Sequence, residues 1–152
     1  MSESGSGKGS GLGRHRLVAL DSNVLIYLIE TQGPLADAAA HVIDSIADAP
    51  KQGSMAAIGL TEVLVGPARG GDARAFESMA DALRDMPIRI VALDTPVAED
   101  AAWIRGALGI GLEDAVHLAS ARAAGATAFV TNDRRLRSIP QLEVIYLDHL
   151  VA

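Results

Sequence analysis

A chain of 152 residues, 49% of them hydrophobic, has the length and apolar material for one domain with a substantial core. It contains no cysteine, which excludes disulfides and thiolate metal sites, leaves oxygen or histidine to hold any metal, and fits a reducing cytoplasm. The net charge of −6 argues against wholesale electrostatic attraction to nucleic acid and leaves local basic clusters, at Arg134, Arg135 and Arg137 and at Arg69 and Arg74, as the possible contacts.

Residues 1–13, Met1 to Gly13, are mostly Gly, Ser, Glu and Lys and read as a flexible tail, so the domain is expected over residues 14–152. Arg14-His15-Arg16 before Leu17 to Leu20 imitates a signal start. Asp21, Ser22 and Asn23 cut the apolar run far short of an export signal or a membrane span.

Leu17 to Leu20 predicts a buried strand, and Val24 to Ile29 after Ser22-Asn23 predicts a helix. Pro34 to Asp48 spaces Leu35, Ala38, Val42, Ile43 and Ile46 near 3.6 residues, the mark of an amphipathic helix. A short strand is expected at Ser54 to Ala57, then a helix from Leu60 to Val65 stopped by Gly66-Pro67. Asp72 to Met86 carries Phe76, Met79, Leu83 and Met86 along one helix face, and a strand follows at Ile88 to Leu93. Thr95 is the expected N-cap, with Pro96 at the first position, of a helix reaching Leu108. Leu112 to Ala124 predicts another helix closed by Gly125, followed by a strand at Ala128 to Val130, a short helix at Arg134 to Arg137 and a strand at Val144 to Leu147. Strands alternating with helices imply an α/β three-layer sandwich. Its central sheet would be mostly parallel, with four to five strands and helices on both faces.

Four acids stand where apolar runs stop or start: Asp21, Glu62, Asp114 and Asp133. In parallel sheets ligands sit beyond the carboxyl ends of strands, where Asp21 and Thr131-Asn132-Asp133 fall; Glu62 and Asp114 come from helices, so their convergence is an inference. Carboxylates gathered at such a place need cations. Hard oxygen donors suit Mg²⁺ or Mn²⁺, and hydrolysis of a phosphodiester is the natural use, because a metal-activated water makes a serine or cysteine nucleophile unnecessary. Singly, each acid also reads as a cap or a first-turn residue favoured by the helix dipole.

Their order resembles a known family. Val18-Ala19-Leu20-Asp21-Ser22-Asn23-Val24-Leu25-Ile26, then Leu60-Thr61-Glu62-Val63-Leu64, then Glu113-Asp114-Ala115-Val116-His117-Leu118-Ala119-Ser120-Ala121, then Phe129-Val130-Thr131-Asn132-Asp133-Arg134-Arg135-Leu136 are similar to the PIN domain, at its usual intervals. The resemblance implies an acidic metal site made by Asp21, Glu62, Asp114 and Asp133, with Ser22 and Asn23 supporting the first acid and Thr131 and Asn132 shaping the loop. Glu113 adds a carboxylate beside Asp114, but neighbours on a helix point about 100° apart, so both are not expected on one ion. A lone domain of this kind resembles the VapC-type toxins of prokaryotic toxin-antitoxin pairs. That implies a Mg²⁺-dependent endoribonuclease, active on RNA, cytoplasmic, homodimeric and held inactive by a small antitoxin. The antitoxin is expected to lay a helical segment near Val24 to Ile29 and Leu60 to Val65.

Other readings follow from the same residues. His117, three residues after Asp114, offers a ligand or proton carrier, although a packed helix histidine is the favoured reading; His15, His41 and His149 read as surface residues. Trp103 reads as a core or subunit contact. Arg134, Arg135 and Arg137 fit RNA phosphates as well as they fit a solvated face. An aspartyl-phosphate site at Asp21 is disfavoured because Asn23 stands where a second acid is wanted. A non-catalytic PIN-fold binding module is the remaining alternative, and metal-dependent thermal stabilisation discriminates it from the nuclease.

Overall fold

The computed structural model describes residues 9–48 and 50–150. Five strands, β1 (Leu17–Leu20), β2 (Gln52–Ala56), β3 (Ile88–Val91), β4 (Ala128–Thr131) and β5 (Glu143–Tyr146), form one sheet in the order β3-β2-β1-β4-β5. Every pairing is parallel. The central strands β1 and β4 read as continuous apolar runs because both sheet faces are covered.

The helices are α1 (Ser22–Glu30), α2 (Pro34–Ala47), α3 (Ala57–Arg69), α4 (Ala73–Asp85), α5 (Thr95–Leu108) and α6 (Leu112–Ala123). The pleat divides β1 between two cores. Val18 and Leu20 join Val24, Ala38, Val42 and Ile46 of α1 and α2, whereas Ala19 joins Val97, Ala101, Ile104, Ala115 and Leu118 of α5 and α6. A third cluster, Leu25, Met55, Val63 and Leu83, fastens α3 and α4 beside α1. Gly125 stands at φ +81°, a conformation costly for a residue with a Cβ, and turns the chain from α6 into β4.

Several local expectations change. Helix α3 starts at Ala57 and runs through Pro67 to Arg69, so Gly66-Pro67 does not end it. Asp94 rather than Thr95 caps α5, accepting from the Val97 N–H at 3.1 Å. Residues 134–137 form a turn and irregular chain instead of a helix: Asp133 accepts the Arg135 N–H at 2.9 Å, a local bond that competes with helix formation. Within the segment expected as a tail, Gly9–Leu12 forms a short 3₁₀ helix with Leu12 buried; residues 1–8 lie outside the described chain.

Trp103 is 75% exposed and is not a core residue. Val97, Ala101 and Ile104 already supply the core stripe of α5 at helical spacing, and Trp103 lies off it. His15 is buried rather than on the surface, with its ring nitrogens 2.8 Å from Thr127 Oγ1 and 2.9 Å from Glu143 Oε1. His41 and His149 are exposed, as expected.

Candidate metal centre

The chain builds outward from β1 to β2 and β3, then returns to place β4 and β5 on the other side, so strand order reverses between β1 and β4. In parallel sheets the loops leaving two such strands diverge, and the reversal marks the usual place for a ligand. Asp21 follows β1. Its N–H completes the ladder to the Val130 carbonyl at 2.9 Å, and its Oδ1 accepts the Ser22 N–H at 2.8 Å, capping α1. Thr131, fully buried at the end of β4, donates its hydroxyl to Asp21 Oδ2 at 2.8 Å and accepts the Asp133 N–H at 3.0 Å. Asn23 Nδ2 donates to Asp21 Oδ2 at 3.3 Å and to Thr131 Oγ1 at 3.2 Å, which leaves its buried Oδ1 without a partner among the described residues.

Glu62 of α3 and His117 of α6 close the inner part of the site. His117 Nε2 lies 2.9 Å from Glu62 Oε1 and 3.6 Å from Asp21 Oδ1, and donor atoms of all three residues fall within 4.8 Å of one another. The packed, hydrogen-bonded reading of His117 is therefore right about burial. It is incomplete, because the hydrogen bond is made to one of the four expected acids, Glu62, and a second, Asp21, lies within ion-pair distance. Only the fold reveals this, since Glu62 lies 55 positions away in sequence; the signal available earlier was the shared helix face of Asp114 and His117.

Burial pushes the Asp21 carboxyl above its ordinary range, against the stabilising effects of His117, Thr131 and the Ser22 N–H. The His117 hydrogen bond holds Glu62 below its ordinary range despite partial burial. For His117 itself burial opposes the charged form, but the hydrogen bond to Glu62 and the charges of Asp21, Glu62 and Asp114 outweigh it and raise the imidazole above its usual value.

Asp114, in the first turn of α6, and Asp133, in the loop after β4, make the outer part. Partial burial raises Asp114, and the neighbouring charges of Asp133 and Asp21 raise it further. Arg135 bridges the pair, with Nε 3.0 Å from Asp133 Oδ1, Nη2 2.6 Å from Asp133 Oδ2 and Nη2 3.9 Å from Asp114 Oδ2. Its hydrogen bonds hold Asp133 below the ordinary carboxylate range.

Not every expected residue points here. Asn132 Oδ1 accepts the Asp148 N–H at 3.3 Å, which ties the loop to the C-terminal 3₁₀ turn Leu147–Leu150. Arg134 pairs with Asp148 and lies 4.2 Å over the Tyr146 ring. Arg137 and Glu113 are exposed, and neither forms an ion pair among the described residues.

The family model described as "PIN domain" matches residues 18–142, a span that contains all four acids and His117. The chain belongs to the PIN-domain family. No curated protein matches it. This PIN domain is similar in fold to a chain of a toxin-antitoxin complex from Klebsiella pneumoniae, at 22% identity and a TM-score of 0.66 over 82% of this chain and 94% of that one. It is similar also to a chain of VapBC2 from Rickettsia felis bound to a DNA fragment from its promoter, at 20% identity and a TM-score of 0.69 over 86% and 98% of the two chains. A chain of FitAcB from Neisseria gonorrhoeae gives 23% identity and a TM-score of 0.59 over 76% and 87%.

Proposed function

We propose that this PIN domain is a divalent-metal-dependent endoribonuclease that hydrolyses RNA phosphodiesters and acts as the toxin of a type II toxin-antitoxin pair. The observation that carries the reading is the convergence of Asp21 and Glu62 with His117, within 4.8 Å of one another, beside β1 and β4. Asp114 and Asp133 stand at the rim of the site.

The donor set fits a hard divalent cation. Carboxylate oxygens predominate, one imidazole nitrogen is admissible, no sulfur is present, and mutually repelling acids are offset by a positive charge. Asp21 and Glu62 would hold Mg²⁺ or Mn²⁺ with Asp114 and Asp133, and the ion would supply charge stabilisation for a scissile phosphate and an acidified water. Thr131, Asn23 and the Ser22 N–H hold the Asp21 carboxylate in one orientation. His117 steadies Glu62 in the same way.

The toxin role draws on the solved complexes of similar fold. An antitoxin helix would cover α1 and α3, where Ile26, Leu28, Ile29, Leu60 and Leu64 are half-buried and Val65 is 37% exposed. Two copies would form a homodimer working in the cytoplasm; among the described residues no helix is long and apolar enough to cross a membrane.

Purified protein incubated with total RNA tests the reading. Cleavage with Mg²⁺ or Mn²⁺ that stops on chelation is expected, together with slowed growth on expression and relief by the product of the adjacent reading frame. Cleavage undiminished in chelator would overturn the metal mechanism, and intact RNA with every divalent ion would leave a binding module.

A further inference from the structure

We infer that Arg135 is a built-in competitor for the metal centre: its guanidinium and a divalent cation exclude each other on Asp133 and Asp114, and the displaced guanidinium is left at the rim to meet a substrate phosphate. The inference rests on the metal reading above and adds a control to it.

Both oxygens of Asp133 already accept from the Arg135 side chain, Oδ1 from Nε at 3.0 Å and Oδ2 from Nη2 at 2.6 Å. The same Nη2 stands 3.9 Å from Asp114 Oδ2. A cation bound directly by Asp133 needs lone pairs that the guanidinium occupies and brings a second positive charge against it. The backbone bond from the Arg135 N–H to Asp133 Oδ1, at 2.9 Å, does not depend on the guanidinium, so the loop keeps its shape when the side chain leaves.

Departure is easy. The Arg135 side chain is 79% exposed. Arg134 differs, being paired to Asp148 and laid over Tyr146. Of the basic run, Arg135 alone faces the carboxylates. Once released, it is a planar donor fork beside the site, a shape suited to phosphate oxygens.

Mn²⁺ titrated calorimetrically into the whole chain tests the competition, with Arg135→Gln, Arg135→Lys and Arg134→Gln compared with wild type. Exposed ion pairs are worth little, so Arg135→Gln is expected to tighten Mn²⁺ binding by only about two- to fivefold. Arg135→Lys should lie between it and wild type, and Arg134→Gln should match wild type. In anisotropy with a labelled single-stranded DNA, added Ca²⁺ should strengthen binding more for wild type than for Arg135→Gln. Unchanged or weaker Mn²⁺ affinity in Arg135→Gln overturns the competition, and so does equal tightening in Arg134→Gln, which would reveal only long-range charge. Equal Ca²⁺ strengthening removes the phosphate half. Failure of Mn²⁺ to bind wild type and every variant would sink the metal centre itself, a different result from equal binding by all.

Discussion

The two halves of the site solve one electrostatic problem by opposite means. In the inner half, Asp21 and Glu62 face His117, which is 2% exposed and held by packing; its charge can be lost by deprotonation, but the side chain has nowhere to go. In the outer half, Asp114 and Asp133 face Arg135, whose charge is permanent but whose exposed side chain is free to leave. A buried acid cannot be left to water, so its counter-charge is built into a helix of the core. A rim acid has solvent in reserve, so its counter-charge hangs from a loop. A cation bound there would therefore meet a fixed partner on one side and a movable one on the other.

The comparison breaks most severely when an acid is neutralised. Asp21→Asn and Asp114→Asn are each expected to lower RNA cleavage at least about a hundredfold. Both metal-free variants should melt at or above the wild-type temperature, because a repelling carboxylate is gone; wild-type turnover in either folded variant would show that cleavage does not use these acids. His117→Leu should also weaken the site, by loosening Glu62 rather than by removing a carboxylate. Without the imidazole Glu62 loses the donor that orients it, and this loss of positioning should outweigh the relief of positive charge, so Mn²⁺ affinity should drop by about 10- to 100-fold while the fold persists. Unaltered affinity by calorimetry would demote His117 to packing.

Thr131→Val cuts the link between the halves. The hydroxyl bonds Asp21 Oδ2 and the Asp133 N–H in a fully buried position, and losing it should cost about 1–3 kcal/mol in denaturant unfolding. A smaller cost would mean that water replaces the hydroxyl.

The gentlest probe is pH. His117 has a folded pKa raised above its ordinary 6.5, so its contribution to stability is present below 6.5 and is lost as pH rises through the folded value. Glu62, lowered from 4.5, contributes above 4.5 and loses that contribution as pH falls. The metal-free wild type should thus lose melting temperature on going upward from pH 6.5, and His117→Leu should be flatter over that range. Parallel curves would place the titration elsewhere.

The sequence made the acids legible for a physical reason. A carboxylate at the end of a buried apolar run needs a purpose, and Asp21 after Leu20 and Asp133 after Val130-Thr131 fall at strand ends that a parallel sheet brings together. The partners of the two buried histidines were not legible, because the polar groups that they meet come from distant parts of the chain. His117 reaches Glu62 across two helices, and His15 reaches Thr127 and Glu143 across three strands. Trp103 could have been placed, since Val97, Ala101 and Ile104 already fill one face of its helix. Pro67 misled through its usual effect on helices, and the Arg134 to Arg137 segment misled because the Asp133 carboxylate takes a backbone N–H in a turn.

Thermal unfolding of wild type beside Asp21→Asn, with and without Mn²⁺, decides whether these carboxylates form a cation site. Binding to the folded state alone should raise the wild-type melting temperature in a saturable manner, whereas Asp21→Asn should begin at or above wild type and gain little. Equal gains in both proteins, or none in wild type at millimolar Mn²⁺, would show that Asp21 and its neighbours do not hold a cation.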